Sequence, residues 1–119
     1  MNRRVLIVED EPNIANAIRY LLDREGFDVE VESDGAKAAA RTKGADIVIL
    51  DLMLPNRSGF DVLRDLRAGD NPDVPVLMLT ARGQTRDREV AEELGVTRFM
   101  TKPFSNADLV GTVKELVAG

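Results

Sequence analysis

The sequence predicts an α/β fold, a doubly wound parallel sheet of five strands with helices on both faces. Short apolar runs without alternation recur along the chain, as in strands that are buried on both faces of a sheet. Segments with apolar residues at helical spacing separate these runs, and the connections are short. No linker, repeat or low-complexity stretch divides the 119 residues, so a single domain over 1–119 is predicted.

The predicted strands are these runs, and most of them end on a polar side chain. The third run is apolar until Asp51, after which Pro55 and Gly59 turn the chain away. The second run alternates apolar and acidic residues, which predicts a half-exposed edge strand. In chain order the predicted strands are 5–8, 27–32, 47–51, 76–79 and 98–101.

Start and stop signals bound five predicted helices. Pro12 suits the first turn of a helix, and the capping boxes that begin at Ser58 and Ser105 open two others. The second helix, an alanine-rich segment before Gly44, buries little apolar surface and is expected to be one of the less stable helices. The fourth helix, 84–94, is strongly charged and is by default a solvated face.

Composition excludes several classes of function. The chain has no histidine, so catalytic triads and histidine-ligated metals are excluded, and any phosphohistidine must come from a partner. It has no cysteine, which excludes disulfides and thiolate metal sites. The net charge of −5 argues against direct binding of nucleic acid. Since no apolar stretch reaches membrane-spanning length, we expect a soluble cytoplasmic protein that does not contact a membrane.

Chemically useful side chains follow four of the five strands. If the strand order is the flavodoxin-like 2-1-3-4-5, the first and third strands are neighbours and Asp10 lies beside Asp51. Glu9, Thr80 and Lys102 then reach the same edge. Carboxylates this close repel unless one is protonated or a cation joins them, and oxygen ligands open to solvent suit Mg²⁺. A metal, a lysine and a hydroxyl around a carboxylate nucleophile fit phosphoryl transfer onto an aspartate.

These residues, in this order, resemble the receiver domain of bacterial response regulators (CheY-like), and the resemblance covers nearly the whole chain. It implies a (βα)5 phosphoprotein of a two-component phosphorelay, with Mg²⁺ as its cofactor. Asp51 would accept a phosphoryl group from a phosphohistidine of a partner histidine kinase or histidine phosphotransfer protein. Such a domain is a signalling switch rather than an enzyme, apart from limited self-phosphorylation and autodephosphorylation. The motifs are Val8-Glu9-Asp10-Glu11, Asp51-Leu52-Met53-Leu54-Pro55 with Gly59, Thr80-Ala81 and Lys102-Pro103-Phe104.

The resemblance also implies which residues hold the metal ion. Asp10, Asp51 and the backbone carbonyl of Met53 would bind Mg²⁺, and Glu9 would support it through a water molecule.

Other residues would bind the phosphoryl group and report its presence. Lys102 would bind one phosphoryl oxygen, the Thr80 hydroxyl would swing in to meet another, and the Ala81 amide would help. Phe99 stands where the family keeps an aromatic side chain that turns inward as the threonine moves. The Lys102–Pro103 bond is expected to be cis. The output would be a shift of the surface formed by the fourth helix, fifth strand and fifth helix, which controls binding of a downstream protein or effector domain.

Three features depart from the family pattern. Val96-Thr97-Arg98 replaces a segment whose acidic residues help some receivers to form a symmetric, phosphorylation-dependent dimer, so Arg98 argues against that mode. Arg82 lies where the family tunes the access of hydrolytic water, and its long side chain could shield an acyl phosphate or pair with it. No linker-like segment follows Val117, which favours a stand-alone regulator over a receiver excised from a longer protein.

Other interpretations compete with this one. Taken singly, Thr80, Lys102 and Phe99 could be a strand residue, a surface lysine and core packing. A degenerate receiver that serves only as an interaction module would lack the acceptor, the acidic pair or the lysine, and all are present. A phosphatase with an aspartate nucleophile usually has a second acid where this chain has Met53. A flavodoxin-like cofactor binder is consistent with the fold, but the loop after the first strand is acidic and would repel a phosphate.

Overall fold

The computed structural model describes residues 2–81 and 85–118, and it confirms the predicted fold class. Five parallel strands form one sheet in the order β2-β1-β3-β4-β5, the flavodoxin-like order. β2 lies at an edge of the sheet, as its alternating sequence predicts. The strands are β1 (Arg4–Val8), β2 (Asp28–Glu32), β3 (Ile47–Asp51), β4 (Val76–Thr80) and β5 (Arg98–Thr101).

In the part of the chain that the structure describes, four α-helices connect or follow the strands, one fewer than predicted. The alanine-rich segment after β2 forms two short 3₁₀ helices, Gly35–Lys37 and Ala39–Arg41, instead of an α-helix. Its main-chain bonds span three residues, and within 35–41 only Gly35 and Ala38 are buried, so little apolar contact is available to support a longer helix. The α-helices are α1 (Pro12–Arg24), α2 (Gly59–Arg67), α3 (Thr85–Glu93) and α4 (Asn106–Ala118).

The sheet separates two hydrophobic clusters, one on each face. Successive strand residues point to opposite faces, so Leu6 and Val8 enter one cluster while Val5 and Ile7 enter the other. α2 and α3 cover the first face, and α1 and α4 cover the second. Burial on both faces explains why the sequences of β1, β3 and β4 are unbroken apolar runs. Among the described residues, no helix is long and apolar enough to cross a membrane.

Candidate functional site

The carboxyl ends of β1 and β3 bring three carboxylates together. One oxygen each from Glu9, Asp10 and Asp51 lies within 4.8 Å of the others. Asp10 is exposed, whereas Glu9 and Asp51 keep only 4% and 9% of their surface accessible. β1 and β3 are hydrogen-bonded neighbours, which is why residues far apart in sequence meet here. The cluster is therefore open to solvent on the Asp10 side and closed behind.

The buried Glu9 carries the electrostatic cost of this arrangement. Burial, followed by a hydrogen bond with Asp51 and the negative charge of Asp51, raises the pKa of Glu9 from 4.5 to about 7. The backbone N–H of Glu11 donates to Glu9 Oε2 at 3.3 Å, and Lys102 Nζ lies 3.9 Å from Glu9 Oε1. Both contacts oppose the rise of the pKa. The site thus holds more negative charge than its own residues neutralise, and a proton on Glu9 or a bound cation relieves it.

Asp51 is held by the turn that follows β3. The backbone N–H of Met53 donates to Asp51 Oδ1 at 3.1 Å, which leaves Oδ2 to face other groups. The N–H of Gly59 donates to the carbonyl of Leu52 at 2.8 Å. A Cβ on Gly59 would lie 2.6 Å from Leu52 Cα and 2.7 Å from the Asp51 carbonyl oxygen. Gly59 is therefore required for the close approach of α2 to the turn, a role that its sequence position alone does not reveal.

Lys102 and Thr80 reach the same edge from β5 and β4. Thr80 is fully buried at the end of β4, and the N–H of Lys102 donates to the Thr80 carbonyl at 2.7 Å. The Lys102–Pro103 peptide bond is cis, as expected. Ala81 is exposed directly after Thr80. Arg82 lies outside the described residues, so its predicted role at this edge is not addressed by the structure.

Phe99 lies away from the carboxylates, inside the cluster under α2 and α3. It is paired with Met78 in the sheet and is 7% exposed. The guanidinium carbon of Arg88 lies 5.1 Å from the centre of its ring, within cation–π range. Arg88 was not singled out from the sequence, because in a helix so rich in charge one arginine carries no distinguishing signal. Arg98, the preceding residue of β5, is exposed and points to the opposite face of the sheet, where its Nη1 lies 3.7 Å from Oε2 of Glu115 of α4.

The donor set at this edge fits a hard divalent cation. Three carboxylates supply only oxygen ligands, and the exposed side at Asp10 leaves room for water. Among the residues that the structure describes, this is the only group of three or more potential ligand side chains.

Comparisons with known proteins agree with this geometry. The family model of the response regulator receiver domain matches residues 5–114. The sensory transduction protein RegX3 of Mycolicibacterium smegmatis is 46% identical over 115 residues, which cover 95% of this chain and 50% of RegX3. The chain therefore spans about half the length of the curated relatives it matches.

Solved structures show the same architecture. The receiver domain of the sensor histidine kinase PA1611 of Pseudomonas aeruginosa has a magnesium ion coordinated in its active-site cleft; it is 29% identical, with a TM-score of 0.90 and all of both chains covered. The BeF3-activated N-terminal receiver domain of Klebsiella pneumoniae RstA is 27% identical, with a TM-score of 0.91, 98% of this chain and all of that one covered.

Proposed function

The chain belongs to the response regulator receiver family, and on this premise we propose that it is a phospho-accepting switch of a two-component phosphorelay. Asp51 is the proposed acceptor, and a phosphohistidine on a histidine kinase or a histidine phosphotransfer protein is the proposed donor. The observation that carries the proposal is the meeting of three carboxylates and Lys102 at one edge of the sheet. We assign the whole of 1–119 to this receiver and place the exchange in the cytoplasm, where ATP charges the donor.

The proposed step joins phosphorus to one Asp51 oxygen and breaks the phosphorus–nitrogen bond of the donor, whose imidazole leaves with the electron pair. Asp51 reacts as the carboxylate, so no general base is needed. Met53 donates to Oδ1, and Oδ2 is therefore the proposed nucleophile. Lys102 would release Glu9 and pair with a phosphoryl oxygen, while Thr80 and the Ala81 amide would donate to the others.

Mg²⁺ is the proposed cofactor. Asp10, Asp51 and the Met53 carbonyl would hold it, with Glu9 acting through water, and when bound it would neutralise charge on the transferred group. It should raise Tm, because it binds the folded carboxylates better than the unfolded chain. Scanning calorimetry at increasing Mg²⁺ would measure this, with Asp28→Asn as a control at an exposed acid outside the site. A Tm independent of Mg²⁺ would contradict the proposed site.

The proposed output is a change in the surface formed by α3, β5 and α4, the fourth helix, fifth strand and fifth helix of the sequence-based prediction. Thr80 and Phe99 are the proposed switch, and a downstream protein or an effector domain is the proposed partner. The phosphoryl group can shift the equilibrium between two arrangements of this surface only by the difference in its interaction free energy with the two arrangements. Autodephosphorylation would return the switch to its starting state.

Intact mass after incubation with acetyl phosphate tests the proposal directly. We expect one phosphoryl adduct on the wild-type chain in Mg²⁺, none in chelator, and none on Asp51→Asn in Mg²⁺. Asp46→Asn, which removes a half-buried carboxylate at the amino end of β3, is the matched control and should be labelled normally. Equal labelling of wild type and Asp51→Asn would move the acceptor elsewhere. A folded chain that binds Mg²⁺ but takes no adduct, even from histidine kinases, would be an interaction module instead.

A further inference from the structure

The two ends of α3 are attached to the rest of the protein in different ways. Helix α3 packs on the sheet through a single fully buried apolar side chain, Ala91, with Val90 and Leu94 half-buried beside it. Hydrogen bonds and ring contacts at its ends therefore decide how it can move.

The carboxyl end of α3 is fixed by Arg67, the last residue of α2. Arg67 Nε donates to the carbonyl of Gly95 at 2.9 Å, and Nη1 donates to the carbonyls of Pro72 and Val74 at 2.9 and 2.6 Å. One guanidinium thus joins α2, the loop before β4 and the turn after α3. Burial lowers the pKa of Arg67, as expected for a side chain held among main-chain carbonyls. The turn is also tied to β4, because Thr97 exchanges bonds with Val76 through its N–H and its hydroxyl oxygen.

The amino-terminal half of α3 buries Asp87 and also contacts the proposed switch on β5. Arg88, exposed in the second turn, lies over the ring of Phe99 at 5.1 Å. Phe99 stands on β5 three residues before Lys102. A movement of this ring changes a contact of the amino-terminal half of α3 and leaves the three acceptors of Arg67 untouched.

We propose that α3 pivots about a carboxyl end fixed by Arg67, and that the state of Phe99 reaches its amino-terminal half through Arg88. This inference rests on the proposed phosphoryl switch and specifies how the switch reaches the surface. It makes Arg67 and Arg88 positioning residues, neither of which touches the phosphoryl group. The face presented by residues 86–90 changes, whereas residues 94–97 stay in place as a fixed edge of the output surface.

Amide NMR of the full chain tests this with Mg²⁺ and beryllofluoride, a stable mimic of the phosphoryl group. In the wild type we expect beryllofluoride to shift the amide resonances of Asp51 and Met53 and those of residues 86–90. The resonances of 94–97 should stay at the positions they have with Mg²⁺ alone. In Arg67→Met the shifts should spread to 94–97. Arg64→Met is the matched control on α2, because the Arg64 side chain is exposed and pairs with Asp61 of the same helix.

Arg88→Leu should bind beryllofluoride normally and lose the shifts in 86–90, and Arg88→Lys should restore part of them because it keeps a cation over the ring. Wild-type shifts that are equal along α3, or largest at 94–97, would overturn the pivot while leaving the receiver chemistry intact. Absence of any shift at Asp51 and Met53 would overturn the proposed function, and the pivot with it. If Arg67→Met does not fold, the wild-type pattern alone still decides.

Discussion

Helices α2 and α3 have the same length, nine residues, and cover the same face of the sheet, yet they are attached to it very differently. α2 buries Gly59, Val62, Leu63 and Leu66. α3 buries only Asp87 and Ala91. The helix that follows β3 is thus built into the core, while its neighbour is held by the buried Asp87, the buried methyl group of Ala91, two half-buried side chains and contacts at its ends.

This difference assigns separate tasks to the two helices. The position of Asp51 and the Met53 carbonyl depends on how closely α2 approaches the end of β3, so that approach must not vary. A surface that responds to a ligand must rearrange at a low cost in free energy. A helix with a small number of buried contacts meets this requirement. The predictions below test this contrast, in order of expected effect.

The largest effect should come from removing a core side chain of α2. Leu63→Ala should lower the free energy of unfolding by about 2–5 kcal/mol, because Leu63 is fully buried and a cavity would remain. Val90→Ala, at a half-buried position of α3, should cost about 1 kcal/mol or less. Urea denaturation gives both values, provided the slope m is unchanged. Similar losses for the two variants would remove the contrast between the helices.

The next effect is a dependence of stability on pH that arises because folding buries the Glu9 carboxyl and places it beside Asp51. The pKa of Glu9 rises from 4.5 to about 7 on folding. The stabilisation that protonated Glu9 gives the folded state is therefore fully present below about pH 4.5 and is lost as the pH increases through about 7. Between pH 5 and 8 the metal-free protein should lose up to about 3 kcal/mol of stability.

The composition makes this measurement clean. Histidine is the side chain that ordinarily titrates in this range, and the chain has none. Glu9→Gln should therefore flatten the dependence, and saturating Mg²⁺ should reduce it in the wild type by favouring the ionised carboxylates. Glu30→Gln, at an exposed acid whose pKa is lowered by Arg4 and Arg41, should leave the slope between pH 5 and 8 unchanged. A wild-type slope that survives Glu9→Gln would assign the proton to another group.

A smaller effect is expected where α2 touches the turn after β3, which follows the proposed acceptor Asp51. Gly59→Ala should cost about 1–3 kcal/mol, because its Cβ would lie 2.6 Å from Leu52 Cα and the neighbouring backbone must shift. The shift should displace the Met53 carbonyl, a proposed ligand, so Mg²⁺ affinity, measured by calorimetric titration, should fall as well. Lower stability with unchanged affinity would show that the turn is held independently of α2.

The sequence predicts the strands, the carboxylates and the buried face of α2 better than it predicts how α3 is attached. Unbroken apolar runs locate the strands, and the polar residues that follow them locate Glu9, Asp10 and Asp51 at one edge. The periodicity of Phe60, Leu63 and Leu66 likewise identifies the buried face of α2. These features are local, since each depends on the order of residues within one element.

What the sequence did not predict depends on distances between elements. The alanine-rich segment has helical composition, but too little of it is buried to hold an α-helix. Gly59 is visible as a turn residue, yet only the approach of Leu52 explains why a side chain is excluded. Arg67 and Arg88 look like the other arginines of charged helices. The carbonyls that accept from Arg67 lie 5, 7 and 28 residues away in the sequence, and the ring beneath Arg88 lies on β5.

The smallest predicted effect calibrates the test at Gly59. Gly111 lies inside α4, on the opposite face of the sheet, and a Cβ there would meet nothing within 4 Å. Gly111→Ala should therefore raise the free energy of unfolding by about 0.5–1 kcal/mol, since alanine loses less backbone entropy than glycine on entering a helix. Mg²⁺ affinity should be unchanged. If alanine lowers the free energy of unfolding at Gly59 and raises it at Gly111, the loss at Gly59 comes from close packing on the turn after β3. A loss of stability at Gly111 as well would mean that helical glycines in this protein have a common role, and Gly59→Ala would then no longer report on the site.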